Sequence, residues 1–250
     1  MSTLEEFASV VASEFPEDRL TYQKSVPTFH PECAAEAAAL LKLANEHGRQ
    51  LYVTGFGNNI DPAGDPFVRM LSIRTDRLND LQEISPDRLK VRTGSGYPLR
   101  EINEHLARHG LFLPHAALPY VGSAGGAVAV DLSARLGGRD LSIRDYVTEI
   151  ELVTARGDVV TLTSEPSEPA SDYGSVQMLA PSWGLIGLIV AVTFHVVSMD
   201  RAADYGDMKM EAVLRGEFLS SLDSRSKVGD GLSFREFKNK LDPRNVLPVV

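Results

Sequence analysis

The first apolar positions of the chain recur at helical spacing. Leu4, Phe7, Val10 and Val11 share one face, so residues 1–20 predict a short amphipathic helix that packs at a domain edge and leads into Phe15-Pro16. A second helix is expected to open at Pro31, whose fixed φ suits a first turn. Cys33 falls inside it, Ala37, Leu40, Leu41 and Ala44 form its apolar face, and Gly48 ends it. The period then changes. Gln50 to Val53 predicts a strand that runs straight into Thr54-Gly55-Phe56-Gly57-Asn58-Asn59-Ile60. Further strands are expected over Met70–Ile73 and Leu89–Thr93. Pro98 opens a third helix, with Leu99, Ile102 and Leu106 inward and Gly110 at its end. Leu111-Phe112-Leu113 is a short strand, followed by Gly122-Ser123-Ala124-Gly125-Gly126 and the small-residue run Ala127 to Val130. Val147–Thr154 and Val159–Thr163 flank Ala155-Arg156-Gly157-Asp158, a hairpin pattern. Residues 164–175 read as a loop, and Gly184–Val197 carries a long apolar strand. Helices mixed with hairpin-joined strands predict an α+β fold rather than a regular βαβα chain.

Length and charge narrow the picture. A chain of 250 residues with 43% hydrophobic positions can bury one large domain or two small ones. A net charge of -9 disfavours nucleic acid or an anionic membrane surface as the main partner. It still permits an anionic ligand, because backbone N–H groups hold phosphate without any Lys or Arg. One cysteine excludes an intrachain disulfide and fits a reducing, cytoplasmic setting. The N-terminus lacks a basic region followed by an apolar run. The most apolar stretch, Leu185 to Val192, falls far short of the ~20 residues that span a bilayer, so a soluble protein is expected.

Three glycine elements carry the candidate chemistry. Gly55-x-Gly57 follows a strand, as a dinucleotide-binding turn would. A Rossmann fingerprint needs a third glycine opening a helix, whereas Ile60 stands at that position and Asp61-Pro62-Ala63-Gly64 breaks any helix. The loop suits an anion nest instead, in which glycines take backbone angles other residues avoid and successive N–H groups converge on one oxygen. Asn58 and Asn59 tolerate left-handed conformations and can donate. An ordinary strand-end turn is the alternative. Around Gly122, Gly125 and Gly126, small residues allow close approach of a flat or charged ligand, or equally the tight packing of a helix start. Gly184-Leu185-Ile186-Gly187-Leu188-Ile189-Val190 alone reads as a buried strand with a bend. His105 and His109 sit four apart on a helix without an H-E-x-x-H pattern or third ligand, so no metal site is expected. Trp183 reads as packing.

In this order and spacing, the three elements resemble the FAD-binding domain of the vanillyl-alcohol oxidase and p-cresol methylhydroxylase flavoproteins (PCMH-type). Ala44-Asn45-Glu46-His47-Gly48 resembles the family's helix end before the pyrophosphate loop, here Gly55-Phe56-Gly57-Asn58-Asn59. Ser123 to Ala129 resembles "T-I-G-G-A-I-A". Ser142-Ile143-Arg144-Asp145-Tyr146-Val147 resembles "S-T-R-D-x-V", and Glu151 to Val159 resembles "E-V-V-L-A-D-G-x-V". Gly184 to Val190 resembles "G-T-L-G-I-I-T". The match covers residues 20–198. It implies two α+β subdomains with FAD between them, with residues 55–60 on the pyrophosphate. It also implies that Gly122, Ser123, Gly125, Gly126 and Ser142 line the cofactor, that Ile189 lies near the adenine, and that Pro119 and Tyr120 lie near the isoalloxazine.

The departures from that pattern are equally specific. Asn58 stands where "G-G-G-H-S" members carry the tethering His, so non-covalent FAD is expected. Lys238-Asn239-Lys240-Leu241-Asp242-Pro243 resembles the family's C-terminal "K-x-x-L-D-P", without its final "N-P-G-K". Only residues 199–236 stand where members carry a cap domain. The expected division is therefore an N-terminal helix (1–20), an FAD-binding domain (21–198), a linker or reduced cap (199–236) and a tail (237–250). The resemblance implies an FAD-dependent oxidoreductase acting on a small organic molecule, its open flavin side covered by a partner subunit or a second copy. A flavin-binding subunit whose substrate site lies on another chain, and a non-redox or vestigial flavin protein, are the alternatives. His115 and Tyr120, just before the second loop, are the candidate proton-transfer residues, with ordinary loop or core-edge roles as the alternative. Asp131 and Arg139, in the segment that approaches the flavin in relatives, read as surface charges.

Overall fold

A computed structural model of the chain describes residues 3–58, 60–61, 63–164, 175–179, 181–212, 215–222 and 232–249. Helix α1 (Leu4–Glu14) starts at Thr3, which shares a reciprocal capping box with Glu6, and it buries Phe7, Ala8 and Val11. Next comes a hairpin, β1 (Leu20–Gln23) and β2 (Val26–Phe29), turning through Lys24 and Ser25, both at positive φ. Helix α2 (Ala34–His47) begins three residues after Pro31, and Cys33 is its exposed N-cap rather than an interior residue. Gly48 ends it at φ 60°, the left-handed cap the sequence predicts. Strand β3 (Leu51–Thr54) pairs in parallel with β4 (Leu71–Arg74), giving a four-stranded sheet of order β1-β2-β4-β3.

A second sheet follows. β5 (Leu81–Ser85) and β6 (Lys90–Gly94) lead to α3 (Ile102–Leu106), whose flanking 3-10 turns run from Leu99 to His109 and bury Leu99, Ile102 and Leu106. β7 (Leu111–Phe112) is followed by α4 (Ala124–Ala129) and the hairpin β8 (Ser133–Leu136) and β9 (Arg139–Ser142). β10 (Val147–Thr154) and β11 (Val159–Thr163) form the predicted hairpin. After α5 (Val176–Leu179) comes β12 (Gly187–His195), which is flanked by β10 and β6 in an antiparallel sheet of order β11-β10-β12-β6-β5. Most of the expected loop 164–175 lies outside the described residues. β13 (Val197–Ser198) pairs with β7. β14 (Lys209–Met210) joins β8 and β9 in a three-stranded sheet, and α6 (Arg215–Ser220) and α7 (Phe234–Leu241) close the chain.

Two hydrophobic cores result. One gathers α1, α2, β3 and β4 with Val153, Leu188 and Val190 of the larger sheet. The other gathers α3, α4, α6 and α7 with Ile150, Leu152, Ile189, Val192 and Phe194. β12 serves both because its register against β10 slips at Val190: Glu151 pairs with Ala191, but Leu152 pairs with Ile189. A bulged residue shifts the alternation of faces by one, so Ile189 and Val192 reach the same core while Val190 reaches the other. Among the described residues, no helix is long and apolar enough to cross a membrane.

Candidate functional site

Between the two cores lies a cleft of about 360 Å³, within the size range of small-molecule and cofactor sites. Its wall is built from the loop after β3, the segment 120–132 around α4, the turn before β12, and Met210-Glu211 at the end of β14. The three glycine elements that are far apart in sequence therefore meet here, and they meet at contact distance. A methyl group placed on Gly55 would sit 2.4 Å from Ser123 Oγ. One on Gly122 would sit 3.5 Å from Asn58 Nδ2, and one on Gly184 would sit 3.1 Å from Val53 Cβ.

The first loop presents donors. Gly57 takes φ 79°, a conformation open to glycine at little cost, and this turns the chain after β3. Among the described residues, the N–H groups of Gly55, Phe56, Gly57 and Asn58 donate to no backbone or side-chain acceptor. Four consecutive unpaired N–H groups on a cleft wall form a partial positive charge suited to a phosphate oxygen. The start of α4 is different: Ala124 N donates to the Tyr97 carbonyl (2.9 Å), Gly125 N to the Ser95 carbonyl (2.7 Å) and Gly126 N to Ser123 Oγ (3.1 Å). Its first donors are consumed internally, so this segment offers shape and the first loop offers charge.

The rest of the wall is largely apolar, with Val53, Val130, Leu132, Ile189 and Trp183 contributing. Ser95 is the polar exception: it is buried on the wall, and its Oγ has no hydrogen-bond partner within the protein. Such an orphaned hydroxyl suits a ligand with a polar edge. Among the described residues, Tyr120 and Glu211 are the ionisable side chains of the wall, and neither His nor Cys is present. A nest for phosphate, flat apolar walls and one orphaned hydroxyl together fit the FAD that the resemblance implies.

The predicted site residues divide accordingly. Gly55, Phe56, Gly57, Asn58, Ile60, Tyr120, Gly122, Ser123, Gly125, Gly126 and Ile189 come together on the wall. Asn59 lies outside the described residues. Pro119 is exposed beside Tyr120 and is not part of the wall. Ser142 also stands off it: its hydroxyl donates to Asp131 and accepts from Arg144 N (3.2 Å). Asp131, far from being a free surface charge, is held by that bond and by Arg144 Nε at 3.4 Å, whereas Arg139 is exposed on β9.

The two candidate proton-transfer residues part company. Tyr120 stands at the mouth, 92% exposed and at φ 61°. His115 is fully buried off the wall, with its ring 5.2 Å from that of Tyr146 and its Nε2 at 3.2 Å from the Leu141 carbonyl, leaving Nδ1 without a partner. Burial pushes the His115 pKa below its ordinary value, against the opposing pull of the Leu141 carbonyl and the charges of Asp131 and Asp145. That favours a neutral ring donating through Nε2, a core histidine rather than a base facing the cleft.

Trp183 has two roles. It stacks on Phe218 at 6.0 Å, the packing expected of it, and it also faces the cleft at φ 52°. Thr75, Ser95, Met210 and Glu211 are wall residues that the sequence reading did not single out. Ser95 had a visible signal, lying between two glycines directly after a strand, whereas Met210 and Glu211 had none.

The sequence profile described as FAD binding domain matches residues 27–163, more than half of the chain. D-lactate dehydrogenase of Archaeoglobus fulgidus is 23% identical over 207 residues, which cover 78% of this chain and 46% of that protein. Probable L-gulonolactone oxidase 4 of Arabidopsis thaliana is 26% identical, over 87% of this chain and 43% of that protein. Among solved structures, an alkyldihydroxyacetonephosphate synthase superposes with a TM-score of 0.63 at 17% identity, covering 79% of this chain and 41% of that one, a likeness of fold. The chain thus spans less than half the length of these proteins. With the profile matched over residues 27–163, which carry two of the three glycine elements that meet at the cleft, the chain belongs to the FAD binding domain family.

Proposed function

We propose that this chain is the FAD-holding part of an oxidoreductase acting on a small organic molecule, with the flavin bound non-covalently between the two subdomains. The observation that carries the reading is the run of four undonated N–H groups, Gly55 to Asn58, in a loop that lines an apolar cleft. When bound, FAD supplies a two-electron acceptor. The chain's own residues supply the rest. The N–H groups hold the pyrophosphate, Val53, Val130, Ile189 and Trp183 exclude water from the flat rings, and Ser95 Oγ meets a polar ring edge. Tyr120 holds or passes a proton at its phenolic oxygen. Asn59 and Pro119 belong to this set through the resemblance alone. The absence of His and Cys from the described wall favours the non-covalent mode.

In this proposal residues 21–198 are the FAD-binding unit, 199–236 replace a cap and 237–250 form the tail, with α7 spanning the boundary at 236/237. A cytoplasmic setting is part of it, resting on the single cysteine. A second reading, a flavin-holding unit whose substrate side is supplied by protein outside these residues, is favoured by the exposure of Tyr120 at the mouth.

The test is direct. The purified protein is titrated with FAD and its visible spectrum followed, and acid precipitation should then leave the yellow colour in the supernatant. Anaerobic mixing with small hydroxy acids and lactones, D-lactate and L-gulonolactone first, should bleach the flavin band. Bleaching only after another protein is added would select the second reading. A protein that takes up no FAD would refute both.

A further inference from the structure

Lys238 is wholly buried at 1% exposure, and so is its partner, Asp242. A buried ion pair is a weak source of net stability, because desolvating two charges offsets their attraction. Its position in the chain shows what it does. Asp242 carries three obligations: it accepts from Lys238 Nζ, from Val246 N at 2.9 Å and from Leu247 N at 2.9 Å. The carboxylate thereby fixes the turn that follows α7. That turn aims the Val246 carbonyl at Leu51 N, which donates to it at 2.8 Å. Leu51 is the first residue of β3, the edge strand of its sheet, and the donor loop begins directly after β3 ends.

The same segment ties the two cores together. Phe234, Phe237 and Leu241 of α7 lie in one core, and Val246 and Leu247, a few residues on, lie in the other. Around the crossing, Gln50 Nε2 donates to the Asn245 carbonyl (3.2 Å) and Arg244 Nη1 to the Asn45 carbonyl (3.0 Å). The strap therefore spans the two bodies whose separation sets the width of the cleft, and it grips the strand that delivers the phosphate-facing N–H groups.

We propose that Lys238 and Asp242 are positioning residues for the cofactor, acting through the tail strap on β3 and its loop rather than by contact. The inference rests on the cleft being the FAD site. Held loops present a nest that is already formed, so less ordering is required on binding, and ligand sites lose affinity when their supporting residues are loosened.

The test pairs FAD affinity with a local probe. The variants are Lys238→Met/Asp242→Asn, which removes both charges and leaves no lone buried ion, and Leu162→Ala, a core truncation in β11 outside the strap. Both are assayed below their melting transitions. The double variant should bind FAD at least tenfold more weakly than the unaltered protein, and its Leu51 amide should exchange hydrogen faster without ligand. Leu162→Ala should lower the melting temperature yet change the FAD Kd less than twofold. Should the double variant show no cooperative melting, Val246→Ala takes its place, with at least a threefold weaker Kd and faster Leu51 exchange expected. The proposal is overturned if the folded strap variant keeps its Kd within twofold, or if Leu162→Ala weakens FAD equally. If the unaltered protein binds no FAD, the cofactor reading fails instead, and the exchange at Leu51 still reports whether the strap holds β3.

Discussion

The contact between Gly55 and Ser123 can be measured as a coupling energy. Gly55→Ala would put a methyl carbon 2.4 Å from Ser123 Oγ, well inside van der Waals distance, while Ser123 Cβ would lie at an ordinary 3.5 Å. The hydroxyl has little freedom to retreat. Ser123 is 1% exposed, and its Oγ caps α4 by accepting from Gly126 N at 3.1 Å. Ser123→Ala alone loses that cap, at about 1 kcal/mol. Gly55→Ala alone either displaces the hydroxyl, losing the same cap, or keeps it and strains the packing, and by either route it costs about 1–3 kcal/mol. In the double variant the clash has no second partner, so it should cost little more than Ser123→Ala. The expected coupling is therefore about 1–3 kcal/mol in magnitude, within the range seen for residues in contact. Urea unfolding of the apo protein across the four proteins measures it. A coupling below about 0.5 kcal/mol, the scatter expected of independent sites, would refute the claim that the two loops meet through this atom pair.

Two further outcomes follow from buried groups. Because burial lowers the His115 pKa, the fold holds this ring neutral while the unfolded chain protonates it near pH 6.5, so the unfolded state binds more protons between those two values. Stability should therefore fall as pH drops from 7 towards 5.5 and level off below the lowered folded-state pKa. His115→Gln, which keeps a donor for Leu141, should flatten that part of the pH profile of the melting temperature; an unchanged slope would count against it. Phe218 sits between Trp183 at 6.0 Å and Phe234 at 5.5 Å, so Phe218→Ala should cost about 3–5 kcal/mol in urea unfolding. A cost below about 1 kcal/mol would mean that residues 199–236 are detachable after all.

What the sequence disclosed depended on whether local chemistry and tertiary demand agreed. Helix α2 was legible because Ala37, Leu40, Leu41 and Ala44 repeat at helical spacing and Gly48 marks the stop, all of them meeting one core. The β10–β11 hairpin was legible through its Gly157 turn. The β1–β2 hairpin was not, because its turn uses Lys24 and Ser25 at positive φ, residue types that carry no left-handed signal. Strand β5 (Leu-Gln-Glu-Ile-Ser) is mostly exposed or half-exposed, so its sequence lacks the apolar run that marks a buried strand. In the site, the glycines were legible as loops, but their convergence is a property of topology. Nothing local announces that Met210, carried by a two-residue strand, will line the same cleft as Gly55. His115 carried two readings in the sequence, a base beside a glycine loop and a core-edge residue, and its burial off the wall agrees with the second.

The region after residue 198 changes most when the sequence is compared with the fold. Its sequence reads as polar and featureless, as a linker would. Yet β14 adds an edge to the β8–β9 sheet and brings Met210 and Glu211 to the cleft, while Phe218 stacks on Trp183 and meets Phe234 edge to face. Trp183 itself faces the cleft, so the stack connects this region to the cofactor wall through one side chain. A cap is a body that packs over a finished site. Here the described residues of this stretch line the cleft and pack into one core, and among the described residues the mouth at Tyr120 stays open. Closure of that mouth is therefore a separate requirement from flavin binding. This is why FAD uptake and substrate-driven bleaching should come apart if the covering protein lies elsewhere.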